Sequence, residues 1–219
     1  LEQMRKDFIS NISHELRTPV TVIRGSLEAL CDKIVTEPEK VEQYHRQMLN
    51  EAKFLQRLVG DLLDLSRLQN PDFAIEKQSL LLNDVLSDAL RSARQIAKAK
   101  DIAIDFEQKG PLPLEGDYGR LRQMFLIILD NAVKFSQTGG KVEVIATDKD
   151  ITVRDYGVGI DEKDLAHIFE RFYKTKGEKN KTGTGLGLAI AKQIAARHNI
   201  ELTATNHTGG GAEFKFKLP

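Results

Sequence analysis

The chain has 219 residues, and its hydrophobic fraction of 41% can support one large domain or two small ones. Its 32 Lys and Arg residues balance 32 Asp and Glu residues, so no net charge favours nucleic acid or an anionic membrane as a partner. The absence of long apolar runs argues against a membrane-spanning helix, and the single cysteine excludes an internal disulfide.

The N-terminal third is predicted to form a helical hairpin. Apolar residues with heptad spacing predict a first helix and lie at positions 16, 20, 23, 27, 30 and 34. A second helix, with Thr36 as its predicted N-cap and Glu39 completing a capping box, carries leucines at 55, 58, 62 and 65. A two-helix hairpin has no core of its own. We therefore expect residues 1–70 to form a dimeric four-helix bundle with a second copy.

The rest of the chain, residues 73–219, alternates between strand and helix patterns. Strands are predicted at 73–79, 101–108, 141–147, 151–156, 200–205 and 212–218, and helices at 80–99, 117–136 and 186–198. Short turn signals between adjacent strands indicate a mixed or antiparallel sheet. The expected fold class is α+β, a sandwich with helices on one face of the sheet. The long polar stretch between Ile160 and Thr184 is typical of a lid.

The segment "SNISHELRTPV" at 10–20 places a histidine inside the first helix. Thr18 lies one helical turn after His14 and so shares its face. Pro19 lacks the N–H that would bond the carbonyl of Glu15, which predicts a bend beside the histidine. The zinc motif HExxH is excluded, because Thr18 stands where the second histidine is required.

Three groups of residues suit a nucleotide. Asn131 and Lys134 share one helix face, and the amide oxygen suits Mg²⁺ while the lysine suits a phosphate. Asp155, at a strand end before Gly157 and Gly159, could accept a hydrogen bond from the amine of adenine. Glycines at 183, 185 and 187 directly precede a helix, an arrangement that favours phosphate. Each group alone is also consistent with a solvated residue or an ordinary turn.

The order of five motifs carries a family resemblance. They are "SHELRTP" at 13–19, "LDNAVKFS" at 129–136, "DYGVGI" at 155–160, "IFERFYK" at 168–174 and "GTGLGLAI" at 183–190. The chain resembles, over essentially its whole length, the cytoplasmic kinase core of two-component sensor histidine kinases. The resemblance implies a dimerisation and phosphotransfer hairpin followed by a gyrase-like ATP-binding domain.

The resemblance also implies roles for single residues. His14 would accept the γ-phosphoryl group of ATP, with Glu15 orienting the ring and taking its proton. Thr18 would position water for removing phosphate from a partner response regulator. Asn131 would hold Mg²⁺ and Lys134 would contact phosphate. The other implied nucleotide contacts are Asp155, Gly157, Gly159, Arg171, Tyr173, Lys174, Gly183, Thr184, Gly185, Leu186 and Gly187.

The implied partners are a second copy of the chain and the receiver domain of a response regulator. The intact protein would be anchored in the cell membrane through a preceding segment, with this portion in the cytoplasm. Two alternatives stay open: a protein acting mainly as a response-regulator phosphatase, and a dimeric signalling scaffold with degenerate nucleotide binding.

One position departs from the pattern. Ile127 stands four residues before Asn131, where family members often carry a polar residue and ATP-hydrolysing relatives of the fold carry glutamate. Isoleucine cannot act as a base, which disfavours a pure ATPase. It also cannot coordinate a metal, so the predicted Mg²⁺ site has one fewer polar side chain. Four other histidines are expected to be merely solvated: His45, His167, His198 and His207.

Overall fold

The computed structural model describes residues 2–175 and 183–219. Its N-terminal part is the expected antiparallel hairpin of α1 (Glu2–Cys31) and α2 (Pro38–Gln69). Helix α1 continues through Pro19. The predicted capping box is wrong: the N-cap of α2 is Glu37, which makes no side-chain cap hydrogen bond, and Pro38 is the first helical residue. The fixed φ of proline suits that position, so it starts the helix without a side-chain cap.

The apolar residues of the hairpin divide into two sets. Leu58 and Leu65, which we expected to face a second copy, are instead buried within the single chain. A second set stays exposed: Val20 and Leu27 lie seven residues apart on α1, Ile34 lies in the connection after α1, and Leu49, Val59 and Leu63 lie on α2. The hairpin therefore has one apolar face that the chain covers itself and another that it leaves open.

The remaining region contains a mixed sheet, as predicted. Within the described residues the five-stranded sheet has the order β2-β4-β5-β7-β6, and only the β2–β4 pair is parallel. Its strands are β2 (Ala103–Gln108), β4 (Lys141–Ala146), β5 (Asp150–Asp155), β6 (Glu201–Asn206) and β7 (Ala212–Lys217). A separate antiparallel pair joins β1 (Gln78–Leu81) to β3 (Pro113–Gly116). Strand β3 was missed because its "PLEG" sequence has no alternating pattern.

Helices cover one face of this sheet and enclose the core. They are α3 (Leu82–Lys98), α4 (Tyr118–Phe135) and α6 (Gly187–Arg197), and a short α5 (Glu162–Leu165) lies between β5 and α6. Phe125 of α4 meets Phe216 of β7 edge-on, with ring centroids 5.0 Å apart. The α+β class is confirmed. No helix in the described ranges combines the length and apolarity needed to cross a membrane.

The hairpin is docked onto the α+β region by polar contacts at the end of α2. The Arg197 guanidinium donates hydrogen bonds to the backbone carbonyls of Leu68, Asn70 and Phe73. The Asp64 carboxylate accepts from Arg120 at 3.0 Å and also from Gln123 of α4. These contacts hold the chain leaving α2 against α4 and α6.

The expectation of a solvated His198 is wrong. The side chain is 2% exposed, and its Nδ1 lies 2.8 Å from the carbonyl oxygen of Ile194. Its Nε2 accepts a hydrogen bond from the backbone N–H of Asp117 at 3.0 Å. Burial lowers the pKa of His198, so the neutral ring joins the end of α6 to the start of α4.

Candidate nucleotide and phosphotransfer site

His14 lies on the exposed surface of α1. The next residue, Glu15, is partly buried, and the Thr18 hydroxyl is 3.4 Å from the His14 carbonyl oxygen. Because Pro19 has no N–H, the carbonyl of Glu15 loses its usual helical donor at this turn. The three predicted phosphotransfer residues therefore occupy one turn of α1, with Thr18 accessible to a partner.

The segment after α5 packs against this part of the hairpin. The Lys174 ammonium contacts the Glu15 carboxylate at 2.7 Å, and both side chains are about one-quarter exposed, at 24% and 28%. Further towards the N-terminus of α1, the Arg171 guanidinium lies over the Phe8 ring at 5.0 Å. The Phe172 ring also contacts Phe8, at a centroid distance of 5.8 Å. The hairpin and the α+β region thus meet beside the predicted phosphoacceptor.

Asn131 and Lys134 lie on α4 and are both partly buried. Burial is the main cause that lowers the pKa of Lys134, and the nearby cations Lys174 and Arg57 lower it further. The Asp130 carboxylate opposes this shift. These cations lie close enough to repel one another. The group suits an anionic ligand, because a bound phosphate would offset that repulsion.

Asp155 is held rigidly at the end of β5. It is 3% exposed, and its Oδ1 accepts hydrogen bonds from the backbone N–H groups of Gly157 at 2.9 Å and Ala212 at 3.2 Å. A side chain at Gly157 would collide with the carbonyl oxygen of Phe135. Gly159 has a φ of +73°, which favours glycine. The predicted adenine contact is therefore a buried carboxylate at a tight backbone crossing.

The glycine run leads into α6 as predicted, with Gly183 at its start and Gly187 as the first helical residue. Gly185 has a φ of +74°, and its carbonyl accepts a hydrogen bond from the Phe172 N–H at 2.8 Å. The Thr184 hydroxyl accepts from the backbone N–H of Leu186 at 3.3 Å. Backbone N–H groups at a helix N-terminus suit a phosphate. Residues 176–182, which belong to the predicted lid, lie outside the described residues.

Tyr173 packs within its own segment. Its hydroxyl donates to the buried Asp164 carboxylate at 2.7 Å, and this hydrogen bond raises the pKa of Tyr173. Its ring contacts His167 at 5.6 Å. A nucleotide contact by Tyr173 stays a prediction.

Sequence reasoning missed one acidic contact. Thr184 donates a hydrogen bond to the Asp61 carboxylate of α2 at 2.6 Å. The only sequence signal was an acidic residue at heptad spacing between Leu58 and Leu65.

Ile127, the residue that departs from the family pattern, lies close to the first residue of α6. Its Cγ2 lies 3.4 Å from the place where a Cβ at Gly187 would stand. The apolar side chain therefore packs against the start of α6. In the described ranges no group of three or more His, Cys, Asp or Glu residues could hold a metal ion.

Two family models match the chain. One, the His Kinase A (phospho-acceptor) domain, matches residues 4–71. The other, described as the histidine kinase-, DNA gyrase B- and HSP90-like ATPase, matches residues 116–219 and supports the use of ATP. The predicted hairpin and ATP-binding fold are thereby confirmed.

Similar proteins agree with these matches. The phosphate regulon sensor protein PhoR of Pseudomonas aeruginosa is 34% identical over 98% of this chain and 50% of PhoR. The Acinetobacter baumannii histidine kinase AdeS is 25% identical over 94% of this chain and 96% of that one, with a TM-score of 0.74. Full-length ShkA, solved in complex with AMPPNP, is 29% identical over 97% of this chain and 45% of ShkA, with a TM-score of 0.69.

This chain thus spans half the length of PhoR and less than half of ShkA. The motif order, the fold and the two family models agree along nearly the whole sequence. The chain belongs to the family of two-component sensor histidine kinases and carries the phosphoacceptor hairpin and the ATP-binding fold of their kinase core.

Proposed function

We propose that the chain binds ATP, transfers its γ-phosphoryl group to His14 and passes that group to an aspartate in the receiver domain of a response regulator. The observation that carries the proposal is the 2.7 Å contact between Lys174 and Glu15. It brings a cation of the nucleotide-binding region to the residue beside the phosphoacceptor. The same region supplies Asp155 for the base and the glycine run for the phosphates.

Each part of the transfer step can be assigned to one of these residues. A ring nitrogen of His14 attacks the γ-phosphorus, the bond from that phosphorus to the bridging oxygen breaks, and ADP leaves. Glu15 takes the proton from the other ring nitrogen. Lys134 and Lys174 offset negative charge on the phosphates. The nucleophile must be a neutral imidazole, because only an unprotonated ring nitrogen has a lone pair for the attack.

Mg²⁺ is part of the proposal. The amide oxygen of Asn131 suits a metal that keeps several waters and binds mainly through substrate phosphates, so one protein ligand is sufficient. Ile127 leaves that shell without a second polar side chain from the preceding turn. When bound, the ion would offset charge on the triphosphate.

The proposed working form is a homodimer. The exposed Val20 and Leu27 lie seven residues apart on α1, as residues of a seam between helices do. The end of α2 at Gln69 supports domain limits of 1–70 and 73–219. By family resemblance alone, we place the intact protein at the cell membrane with this portion in the cytoplasm.

A second activity, removal of phosphate from the regulator, is favoured by Thr18. Its hydroxyl is exposed one turn after His14, where it could position a water against a phosphoaspartate. The two activities use the same surface of α1, so they can coexist in one protein.

The test is incubation of the chain with Mg²⁺ and γ-labelled ATP beside a His14→Gln variant. Label that survives alkali, is lost in acid and is absent from the variant supports phosphorylation of His14. Equal labelling of both proteins would contradict it. ATP binding without labelling would favour the phosphatase, and absence of both would favour the scaffold.

A further inference from the structure

One face of α2 is an internal docking surface for the ATP-binding region. It comprises residues 54, 58, 61, 65 and 68, which alternate in steps of four and three and so share one side of the helix. Phe54 lies 6.0 Å from the Lys174 ammonium, and the carbonyl of Leu68 accepts hydrogen bonds from Gln193 and Arg197. Leu58 and Leu65 are buried along the same face.

Asp61 is the charged member of this docking face. Its carboxylate accepts a hydrogen bond from the Thr184 hydroxyl at 2.6 Å, and Thr184 is itself 8% exposed. Burial is the main cause that raises the pKa of Asp61, and the neighbouring Asp64 raises it further. The hydrogen bond from Thr184 and the charge of Arg57 lower it. The hydrogen-bond partner of the Asp61 carboxylate is thus a neutral hydroxyl and not a cation. Docking places an incompletely compensated negative charge in a partly buried position.

Thr184 belongs to the segment proposed to receive the phosphates of ATP. It is followed by Gly185 and lies three residues before the first turn of α6. A triphosphate at that turn would bring several negative charges close to the Asp61 carboxylate. Like charges repel strongly where water is partly excluded, so the two anions would compete for the same polar groups.

We propose that Asp61 is an electrostatic gate. Its contact with Thr184 disfavours the binding of a triphosphate to the glycine run, and a bound triphosphate disfavours that contact. ATP then weakens the docking of its own domain on α2, and docking weakens the binding of ATP, by the same factor. The proposal rests on the proposed function, because it takes the glycine run as the phosphate site.

Asp64 provides a matched control on the same helix. It lies one turn after Asp61 and also bridges to the ATP-binding region, but its partners Arg120 and Gln123 belong to the first half of α4. Replacing either aspartate by asparagine removes one charge from the interface between the two regions. Only the Asp61 substitution removes a charge beside the glycine run.

The experiment measures the dissociation constants of ATP and adenosine by calorimetry for the whole chain and its Asp61→Asn, Asp61→Ser and Asp64→Asn variants. We expect both Asp61 variants to bind ATP about threefold to tenfold more tightly than wild type, with the gain shrinking at high salt. Adenosine lacks phosphates, so its affinity should not change. Asp64→Asn should not reproduce the phosphate-dependent gain.

Two results would overturn the gate alone. One is equal ATP affinity in wild type and both Asp61 variants. The other is an equal gain for ATP and adenosine, which would indicate general loosening of the interface. Absence of ATP binding in every variant, with circular dichroism showing folded protein, would instead reject the proposed function and the gate with it.

Discussion

Lys174 and Glu15 connect the two parts of this kinase core beside His14, the proposed phosphoacceptor, with Nζ and Oε2 2.7 Å apart. The proposed reaction needs the lysine on a phosphate and the carboxylate on the imidazole. Their contact occupies one N–H of the ammonium and one oxygen of the carboxylate, so each group keeps hydrogen-bonding capacity for its proposed role. A partly exposed ion pair is also weak enough to rearrange during transfer.

The first prediction concerns Glu15 as the proton acceptor. Glu15→Gln keeps the size of the side chain but removes its basicity. We expect the labelling rate of His14 to fall by about 10²- to 10⁴-fold, the usual contribution of a general base. The measurement is the initial rate of acid-labile labelling at saturating ATP. Arg17→Gln, an exposed change two residues away, should retain the wild-type rate. Equal rates for wild type and Glu15→Gln would exclude this role.

The second prediction concerns the tight crossing at Gly157. Gly157→Ala would force a methyl group into the carbonyl oxygen of Phe135 and displace the backbone that bonds Asp155. We expect ATP binding to be lost and the free energy of unfolding to fall. Gly25→Ala is the control, because an added Cβ there meets nothing within 4 Å. In that helix it should raise stability by about 0.5–1 kcal/mol. Both effects can be measured by urea unfolding and nucleotide titration.

The third prediction concerns pH and His198. Burial lowers the pKa of His198 below its ordinary value of 6.5, and Nε2 must be unprotonated to accept from Asp117. The unfolded chain therefore binds a proton more readily than the folded one. The free energy of unfolding should fall as the pH drops below about 6.5, and this loss should end below the folded pKa.

Urea unfolding between pH 8 and pH 5 tests this dependence. His198→Gln should lower stability at pH 8 by about 1–2 kcal/mol and flatten the fall towards pH 5. His45→Gln, at an exposed position of α2, should keep the wild-type dependence. An unchanged slope in His198→Gln would show that other groups cause the acid sensitivity.

The fourth prediction concerns the junction after α2. Arg197→Met removes hydrogen bonds to the carbonyls of Leu68, Asn70 and Phe73. We expect a loss of about 1–3 kcal/mol in the free energy of unfolding and faster proteolysis between residues 70 and 77. Arg67→Met, on the exposed side of α2, is the matched control and should change neither quantity appreciably. Unaltered proteolysis in Arg197→Met would contradict an anchoring role.

Local patterns in the sequence predicted most elements well, but the strand predicted at 73–79 is wrong over most of its length, because β1 is Gln78–Leu81. Helix α4 is predicted at 117–136 and is Tyr118–Phe135. Strand β4 ends one residue earlier than predicted, and β5 is shifted by one residue towards the N-terminus. These elements have strong periodicity, and their ends follow from nearby residues. Strand β3 was missed because it forms only by pairing with β1, more than thirty residues earlier in the chain.

The sequence by itself determined the order of the motifs and the fold class, because periodicity within a segment sets its local structure. The residues proposed for nucleotide and phosphoryl transfer follow from the family resemblance that this motif order carries. Only the tertiary structure decided that Leu58 and Leu65 are buried within the chain, that Asp61 meets Thr184 and that Lys174 meets Glu15. Heptad spacing shows that a face will be covered but not by what. The partner depends on how two distant surfaces fit, and no local pattern encodes that fit.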